Sequence, residues 1–317
     1  MRPFRFLTSV GEPYDGPGLA AFARRAESLG YSAVVIPDHL GTDHAPVPLL
    51  SAVAAVTERL RVGTFVFNNN LRHPAVLAQE LATLDRLSDG RVEIGLGAGW
   101  NRPEHDAIGL PFEPVGTRVA RLAESIRVLK GCFGEEPFSC RGEHYTITDF
   151  DALPKPVQRP HPPFFVGGGG KRLLTLAAKE AQIIGLAPRI GRDGKGLPTL
   201  DTPSITVAAT EEKVRWIREA AGDRFPELEL NTYPTGGPMV VTADARGEAR
   251  RRADALRART GVELTVGEIL ESPHVFIGSV RELTQKLLDL RERLGISSFL
   301  LDETEAAAPI VAALAGR

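Results

Sequence analysis

The run Arg91-Val92-Glu93-Ile94-Gly95-Leu96-Gly97-Ala98-Gly99-Trp100 decides how this chain is read. Arg91 to Ile94 has the look of a short strand, with two β-branched residues, started by the turn signal Ser88-Asp89-Gly90. Gly95, Gly97 and Gly99 then alternate with other residues, and the large flat side chain of Trp100 closes the run. Glycines lack a Cβ, so something can approach this backbone closely. Two readings fit. In one, a ligand lies against bare backbone at the mouth of a binding site. In the other, a small-residue strand packs under a helix and Trp100 belongs to the core.

Upstream, similar strands alternate with helical stripes. Phe4–Val10 is strand-like, and a turn with Pro13, Gly16, Pro17 and Gly18 follows. Leu19, Phe22, Ala23, Ala26 and Leu29 fall at helical spacing until Gly30 stops the helix. Ser32–Ile36 is a continuous apolar run, as in a strand buried on both faces, and it ends in Pro37-Asp38-His39. A helix is predicted over Leu49–Arg59 and a third strand over Arg61–Phe67, leading to Asn68-Asn69-Asn70. Pro74 fits the first turn of a helix that carries Val76, Leu77, Leu81 and Leu84 inward. Val92–Gly99 is the fourth strand.

Downstream, the fourth long helix runs Val115–Phe133, with Val115, Val119, Leu122, Ile126 and Leu129 inward. Residues 134–163 break the rhythm with Pro137, Pro154, Pro156, Pro160, Pro162 and Pro163. This Pro-rich excursion between the fourth helix and the fifth strand has room for a hairpin around Glu143–Ile147. Phe164–Val166 is the fifth strand and runs into Gly167, Gly168, Gly169 and Gly170; the helix Lys171–Lys179 follows. Strands are predicted at Gln182–Leu186, Leu228–Tyr233 and Ser297–Leu301, with helices at Lys213–Ala220, Ala243–Arg259 and along the Val280, Leu283, Leu287, Leu290, Leu294 stripe. The Gly- and Pro-rich loop Pro188–Ser204 has a length that is usually functional or mobile. Eight buried strands alternating with helices favour a parallel sheet, and the number eight favours a closed (β/α)8 TIM barrel over an open doubly wound sheet. No Ser- or Gly-rich linker divides residues 1–317, so the chain reads as a single domain.

Composition narrows the function. The 317 residues are 43% hydrophobic and 25% charged with a formal net charge of −2, which gives no global attraction for nucleic acid or a membrane surface. Arg250-Arg251-Arg252 reads as a solvated helix face. Cys132 and Cys140 do not make a disulfide framework, and no Cys/His cluster has metal-ligand spacing. Met1–Val10 lacks the apolar core of a signal peptide, and no apolar run could span a bilayer. The expectation is a reduced, cytoplasmic enzyme with a small-molecule substrate and no metal.

In a barrel, the site forms at the C-terminal ends of the strands. Those ends carry Asp38-His39, Phe65 to Asn68, Gly99-Trp100-Asn101, Gly167 to Gly170, and Leu186-Ala187-Pro188. Gly167–Lys171, opening a helix, can aim backbone N–H groups at a phosphate, with Lys171 and Arg172 adding charge; a flexible basic turn is the plain alternative. Asp38-His39 is the best acid/base candidate. Glu104-His105 and His73 follow site-adjacent strands; His73 reads as a cap on the helix that Pro74 opens. His144 and His161 are expected at the surface. No Ser or Cys sits in a nucleophile-elbow context.

Four stretches carry a resemblance: Ala23–Gly30 through Pro37-Asp38-His39-Leu40; Arg72–Glu80 through Leu87–Arg91; Gly95–Trp100; and Pro154-Lys155-Pro156-Val157-Gln158-Arg159-Pro160 through Gly167–Gly170. Gly278-Ser279 and the leucine stripe after it add to them. The sequence resembles the bacterial luciferase-like superfamily of flavin- and deazaflavin-dependent oxidoreductases over nearly its whole length. The resemblance implies a TIM barrel, usually a homodimer, with cofactor phosphate near Gly167–Gly170. It implies a non-proline cis peptide at Phe65–Val66 behind the cofactor ring, Asn68 at the ring edge, and Asp38 and His39 near ring and substrate. Gly99, Trp100 and Lys171 join the cofactor set, and Trp100 and Phe67 are expected to shape an apolar pocket. Val92–Trp100 and the Pro-Lys-Pro-Val-Gln-Arg-Pro stretch resemble the branch that uses coenzyme F420. A GC-rich composition, with seven lysines against thirty-one arginines, points the same way. The alternative is an FMN-dependent monooxygenase using reduced flavin and O2. Trp100 stands where the F420-dependent sugar-phosphate enzymes carry a carboxylate, which implies a different substrate.

Overall fold

The computed structural model describes residues 2–11, 14–41, 44–192, 198–302 and 304–317. Pro13 of the expected turn and the centre of the Pro188–Ser204 loop lie outside the described residues. Among the described residues eight strands make the barrel staves: β1 Arg5–Ser9, β2 Ala33–Ile36, β3 Arg61–Thr64, β4 Val92–Gly97, β5 Phe164–Gly168, β6 Ile183–Leu186, β7 Glu229–Thr232 and β8 Ile296–Leu300, with the two-residue segment Phe67–Asn68 as a ninth piece of the sheet. Their order is β3-β2-β1-β8-β7-β6-β5-β4, and β3 also pairs with β4, so the order closes on itself. This is the (β/α)8 barrel that the strand count favours, and the open sheet is excluded.

Long-range contacts group the residues into two compact units, Met1–Gly11 with Ala26–Ser32 and Gly168–Arg317, and Glu12–Arg25 with Ala33–Gly167. In the second of these, α2 (Pro46–Ala55) begins earlier and ends earlier than Leu49–Arg59. Pro46 takes the first helical position, where no N–H is needed. At the other end the Arg91 guanidinium takes the Ala54 carbonyl at 2.8 Å, the Leu60 carbonyl at 2.8 Å and the Thr57 hydroxyl at 3.0 Å.

The third strand is not continuous to Phe67. β3 stops at Thr64, the Phe65–Val66 peptide is cis as the resemblance implied, and pairing resumes over Phe67–Asn68. Gly63 lies opposite Glu93 and Phe67 opposite Leu96, so four steps on one strand face three on the other. One extra residue is therefore bulged out. The bulge explains the alternating glycines of β4. A Cβ on Gly95 would stand 1.8 Å from the Thr64 carbonyl oxygen, and one on Gly97 would stand 2.6 Å from Val66 Cγ2. What approaches this backbone is the neighbouring strand.

Helix α3 (Pro74–Leu87) buries Leu77, Leu81 and Leu84, but Val76 is exposed. Helix α4 (Arg102–Ala107) is a short turn that periodicity does not flag. Helix α5 spans Val115–Phe133 as predicted and buries Val119, Leu122, Ile126 and Leu129; Val115, at its first position, is exposed. The excursion contains the expected hairpin, Phe138–Arg141 against Thr146–Phe150. Its turn is clamped by Glu124, whose carboxylate accepts backbone N–H groups from Glu143, His144 and Tyr145 at 2.9–3.1 Å. Farther along, the fully buried Asp85 accepts from the Val157 and Gln158 backbones at 2.8 and 3.0 Å and from Gln158 Nε2 at 2.7 Å.

In the other unit, α6 (Lys171–Glu180) packs on α7 (Val207–Ala221). The described ends of the Pro188–Ser204 loop form a small antiparallel pair, Ile190–Arg192 with Pro198–Leu200, and a 3-10 turn, Thr202–Ile205. Helix α8 (Ala245–Thr260) corrects the reading of the arginine triplet. Arg250 and Arg251 are exposed, but Arg252 is buried, lies against Gly237 and donates to the Pro238 carbonyl at 3.0 Å. Helix α9 (Val266–Glu271) and helix α10 (Val280–Leu294) both open with capping boxes, Thr265/Glu268 and Ser279/Glu282, and α10 buries the leucine stripe. Phe4, Phe6 and Phe299 stack in the core, and α11 (Thr304–Leu314) closes the described chain. Cys132 and Cys140 are free thiols. Among the described residues no helix is long and apolar enough to cross a membrane.

Candidate active site

The unit holding residues 33–167 gathers Asp38, His39, Asn68 and Trp100. Asp38 is 4% exposed. Its carboxylate takes both ends of the Arg72 fork, at 2.6 and 3.1 Å, and the Asn68 backbone N–H at 3.0 Å. A buried carboxylate paired in this bidentate way is an anchor. It fixes the end of β2 to the Phe67–Asn68 segment. Phe67 is 1% exposed and lies under the Arg72 guanidinium, 5.1 Å from its ring centre, so it is core and not pocket wall.

Asn68 is the next anchor. Its side-chain oxygen accepts the Asn70 backbone N–H at 3.1 Å and Asn70 Nδ2 at 2.9 Å, and its amide nitrogen donates to His105 Nε2 at 3.2 Å. The fully buried His105 donates from Nδ1 to the Pro111 carbonyl at 3.3 Å and meets the Phe112 ring edge-on. Arg118 lies 4.2 Å above Phe112 and donates to the Ala98 carbonyl at 3.1 Å and to the Gly99 carbonyl. Gly99 has φ +74°, and a Cβ there would stand 2.6 Å from the Asn68 side-chain oxygen. Conformation and crowding both require glycine.

His39 stands apart from this buried lattice. Its Nδ1 lies 2.7 Å from Glu104 Oε1 on α4, and its ring meets Trp100 edge-on at 5.6 Å. Trp100 is 49% exposed, so it is no core residue. Phe65 and Val66 are half-buried, and Phe65 packs on Phe165 at 5.0 Å. Thus His39, Trp100, Phe65 and Val66 offer accessible surface, while Asp38 and Asn68 hold the frame. Sequence reasoning missed Arg72 and Arg118 as partners and left Glu104 without a role; the position of Glu104-His105 just past β4 was the available signal. His73 caps α3 as expected, accepting the Ala75 N–H at 3.2 Å. His144 and His161 are half-buried rather than superficial, and burial against Phe164 pushes the His161 imidazole below its ordinary range.

Gly167 is the last residue of this unit and is half-buried. In the other unit, Gly168 and Gly169 are tight for internal reasons. Their Cβ atoms would stand 2.4 Å from Leu173 Cδ2 and 2.6 Å from the Pro188 carbonyl. Gly170 differs: it is the N-cap of α6, has no neighbour within 4 Å of a Cβ position, and leaves the first N–H groups of the helix without a side-chain cap. Lys171 is exposed, its Nζ 6.0 Å from the Trp216 ring centre. The loop beside it is fastened by Arg189–Asp201 at 2.7 Å and by the buried Lys213, which donates to the Ser204 carbonyl at 2.8 Å. Burial, with the Arg189 charge, lowers the Lys213 amine to about 8.

Deeper in that unit, His274 is fully buried with Nδ1 3.1 Å from the Thr232 hydroxyl. Burial and the Lys213 charge push it down to about 3, against the Tyr233 carbonyl, so the ring is neutral. Among the described residues no group of three or more His, Cys, Asp or Glu side chains is placed to hold a metal ion.

Comparison with known proteins agrees with the barrel fold. The family model described as luciferase-like monooxygenase matches residues 5–308. The chain is 40% identical over 280 residues to an F420-dependent glucose-6-phosphate dehydrogenase of Kineococcus radiotolerans, covering 80% of this chain and 81% of that one. It is 36% identical over 136 residues to an FMNH2-dependent dimethylsulfone monooxygenase of Pseudomonas putida, covering 43% of this chain and 37% of that one. Among solved structures, the coenzyme F420-dependent tetrahydromethanopterin reductase of Methanopyrus kandleri superposes with a TM-score of 0.74 over 98% of this chain and 97% of that one, at 19% identity.

Proposed function

The chain belongs to the luciferase-like monooxygenase family, and we propose that within it the protein is an oxidoreductase using coenzyme F420 for hydride transfer to or from a small organic substrate. The observation that carries the reading is the 40% identity to an F420-dependent enzyme along four-fifths of the chain. The residues fit such a cofactor. Gly170 leaves an open approach to the uncapped start of α6, where backbone N–H groups and the helix dipole suit a phosphate, and Lys171 adds a positive charge. The apolar, half-buried Phe65 and Val66 suit a flat ring.

When bound, the cofactor supplies the hydride chemistry; the protein supplies orientation and proton traffic. His39 is the group that holds or moves a proton: beside Trp100, its Nδ1 meets Glu104 and no described residue engages its Nε2, whereas both ring nitrogens of His105 are occupied. Asp38 does not compete for that role, since Arg72 and Asn68 occupy it. Trp100 beside His39 favours a substrate with an uncharged, apolar body. A second reading, FMN-dependent monooxygenation with O2, rests on the shorter match to the FMNH2-dependent relative.

Trp100, beside His39, serves as a reporter. Titration of the whole protein with F420 should quench the Trp100 signal, which its loss in Trp100→Phe assigns. Binding of FMN without binding of F420 would overturn the F420 reading in favour of the flavin one.

A further inference from the structure

His39 and Glu104 are sixty-five residues apart in sequence, yet their contact at 2.7 Å is braced from both sides. On the His39 side, the preceding residue is the buried Asp38, locked by Arg72 and by the Asn68 backbone. On the Glu104 side, the following residue is the fully buried His105, locked by the Asn68 side chain and the Pro111 carbonyl. Asn68 touches both anchors, so one residue sets the spacing between the end of β2 and α4. Little freedom is left for His39 and Glu104 to part.

This arrangement determines a tautomer. A carboxylate can only accept, so the short contact requires a proton on Nδ1 of His39. Nε2 then carries the lone pair, and no described residue engages it. A carboxylate holding one imidazole nitrogen so that the other faces the chemistry is a general way to orient a base. We infer that Glu104 is the positioning residue of His39: it holds Nδ1–H and leaves Nε2 as the nitrogen that takes or delivers the proton. The role of that proton rests on the oxidoreductase reading above; the tautomer does not.

Nitrogen-15 NMR of the cofactor-free full chain tests the inference. His39 is assigned by the signal lost in His39→Gln, and spectra are recorded at alkaline pH. The wild type should show a protonated Nδ1 and a bare Nε2. Glu104→Gln keeps an acceptor oxygen and should preserve this pattern. Glu104→Leu should lose it, the proton moving to Nε2. A wild type with the proton on Nε2, or with both nitrogens protonated, overturns the inference, as does a Glu104→Leu chain that keeps Nδ1–H. If Glu104→Leu does not fold, the wild-type and Glu104→Gln spectra decide. F420 titration of the same samples separates the two ideas: a chain with the expected tautomer that binds neither F420 nor FMN sinks the cofactor reading alone.

Discussion

Gly97→Ala is the sharpest test of why β4 is rich in glycine. The new methyl would stand 2.6 Å from Val66 Cγ2, while its next neighbours, the Phe67 carbonyl and Val66 Cβ, are 3.8 and 3.9 Å away. Carbon atoms rest at about 3.5–4.0 Å, so one methyl must move by roughly 1 Å. Overpacking of this kind costs about 1–3 kcal/mol. Val66→Ala removes the obstructing methyl and, because Val66 is only half-buried, costs about 1 kcal/mol by itself. In the double variant the added methyl fills space that the lost one vacates. Its cost should therefore fall below that of Gly97→Ala alone, with a coupling of about 1–3 kcal/mol. Urea unfolding followed by circular dichroism gives all four corners of the cycle. Gly95→Ala is the control: its Cβ would meet the Thr64 backbone oxygen at 1.8 Å, and trimming Val66 should not rescue it. Costs that add to within about 0.5 kcal/mol would refute the claim that Gly97 exists to admit Val66.

Two further outcomes follow from the buried charges. Arg72→Leu strands the Asp38 carboxylate in the core and should cost about 3–5 kcal/mol in urea unfolding, with Asp38→Asn in the same chain restoring much of it; an effect below about 1 kcal/mol would deny Asp38 its anchoring role. His274, held at about 3 in the fold against an ordinary 6.5, gives the unfolded chain the greater proton uptake, so stability should fall as pH drops from 6.5 towards 3. The slope from this one residue is about 1.4 kcal/mol per pH unit. His274→Gln should flatten that part of the acid-unfolding profile, and an unchanged profile would place the acid sensitivity elsewhere.

The alternation of strands and helices was legible because the apolar runs are short and most are bordered by Gly or Pro, and α5 was readable to both ends. The helix stripes misled only at helix termini and edges, as with Val115 and Val76, where spacing implies a face but nothing packs on it. The broken third strand was invisible to periodicity, since Val62–Phe67 carries no Pro, Asn or Asp to mark a break; only resemblance placed a cis peptide there. Several residues of the candidate site were found and their parts were not. Asp38 and His39 are neighbours in sequence but point to different partners, 34 and 65 residues away, and a carboxylate beside an imidazole in sequence says nothing of either. Gly95 and Gly97 read equally well as ligand surface or as packing, and the register shift that decides between them is a property of two strands together.

The Pro-rich excursion is fastened by carboxylates at two points, Glu124 on the hairpin turn and Asp85 on Val157–Gln158. Each fastening is made mostly to main-chain amides, so it is indifferent to the side chains it grips. A segment secured in that manner can exchange its outward residues, or trade one hairpin for another of similar turn, without asking the barrel to re-form. Here the protein has a replaceable part, between residues 134 and 156.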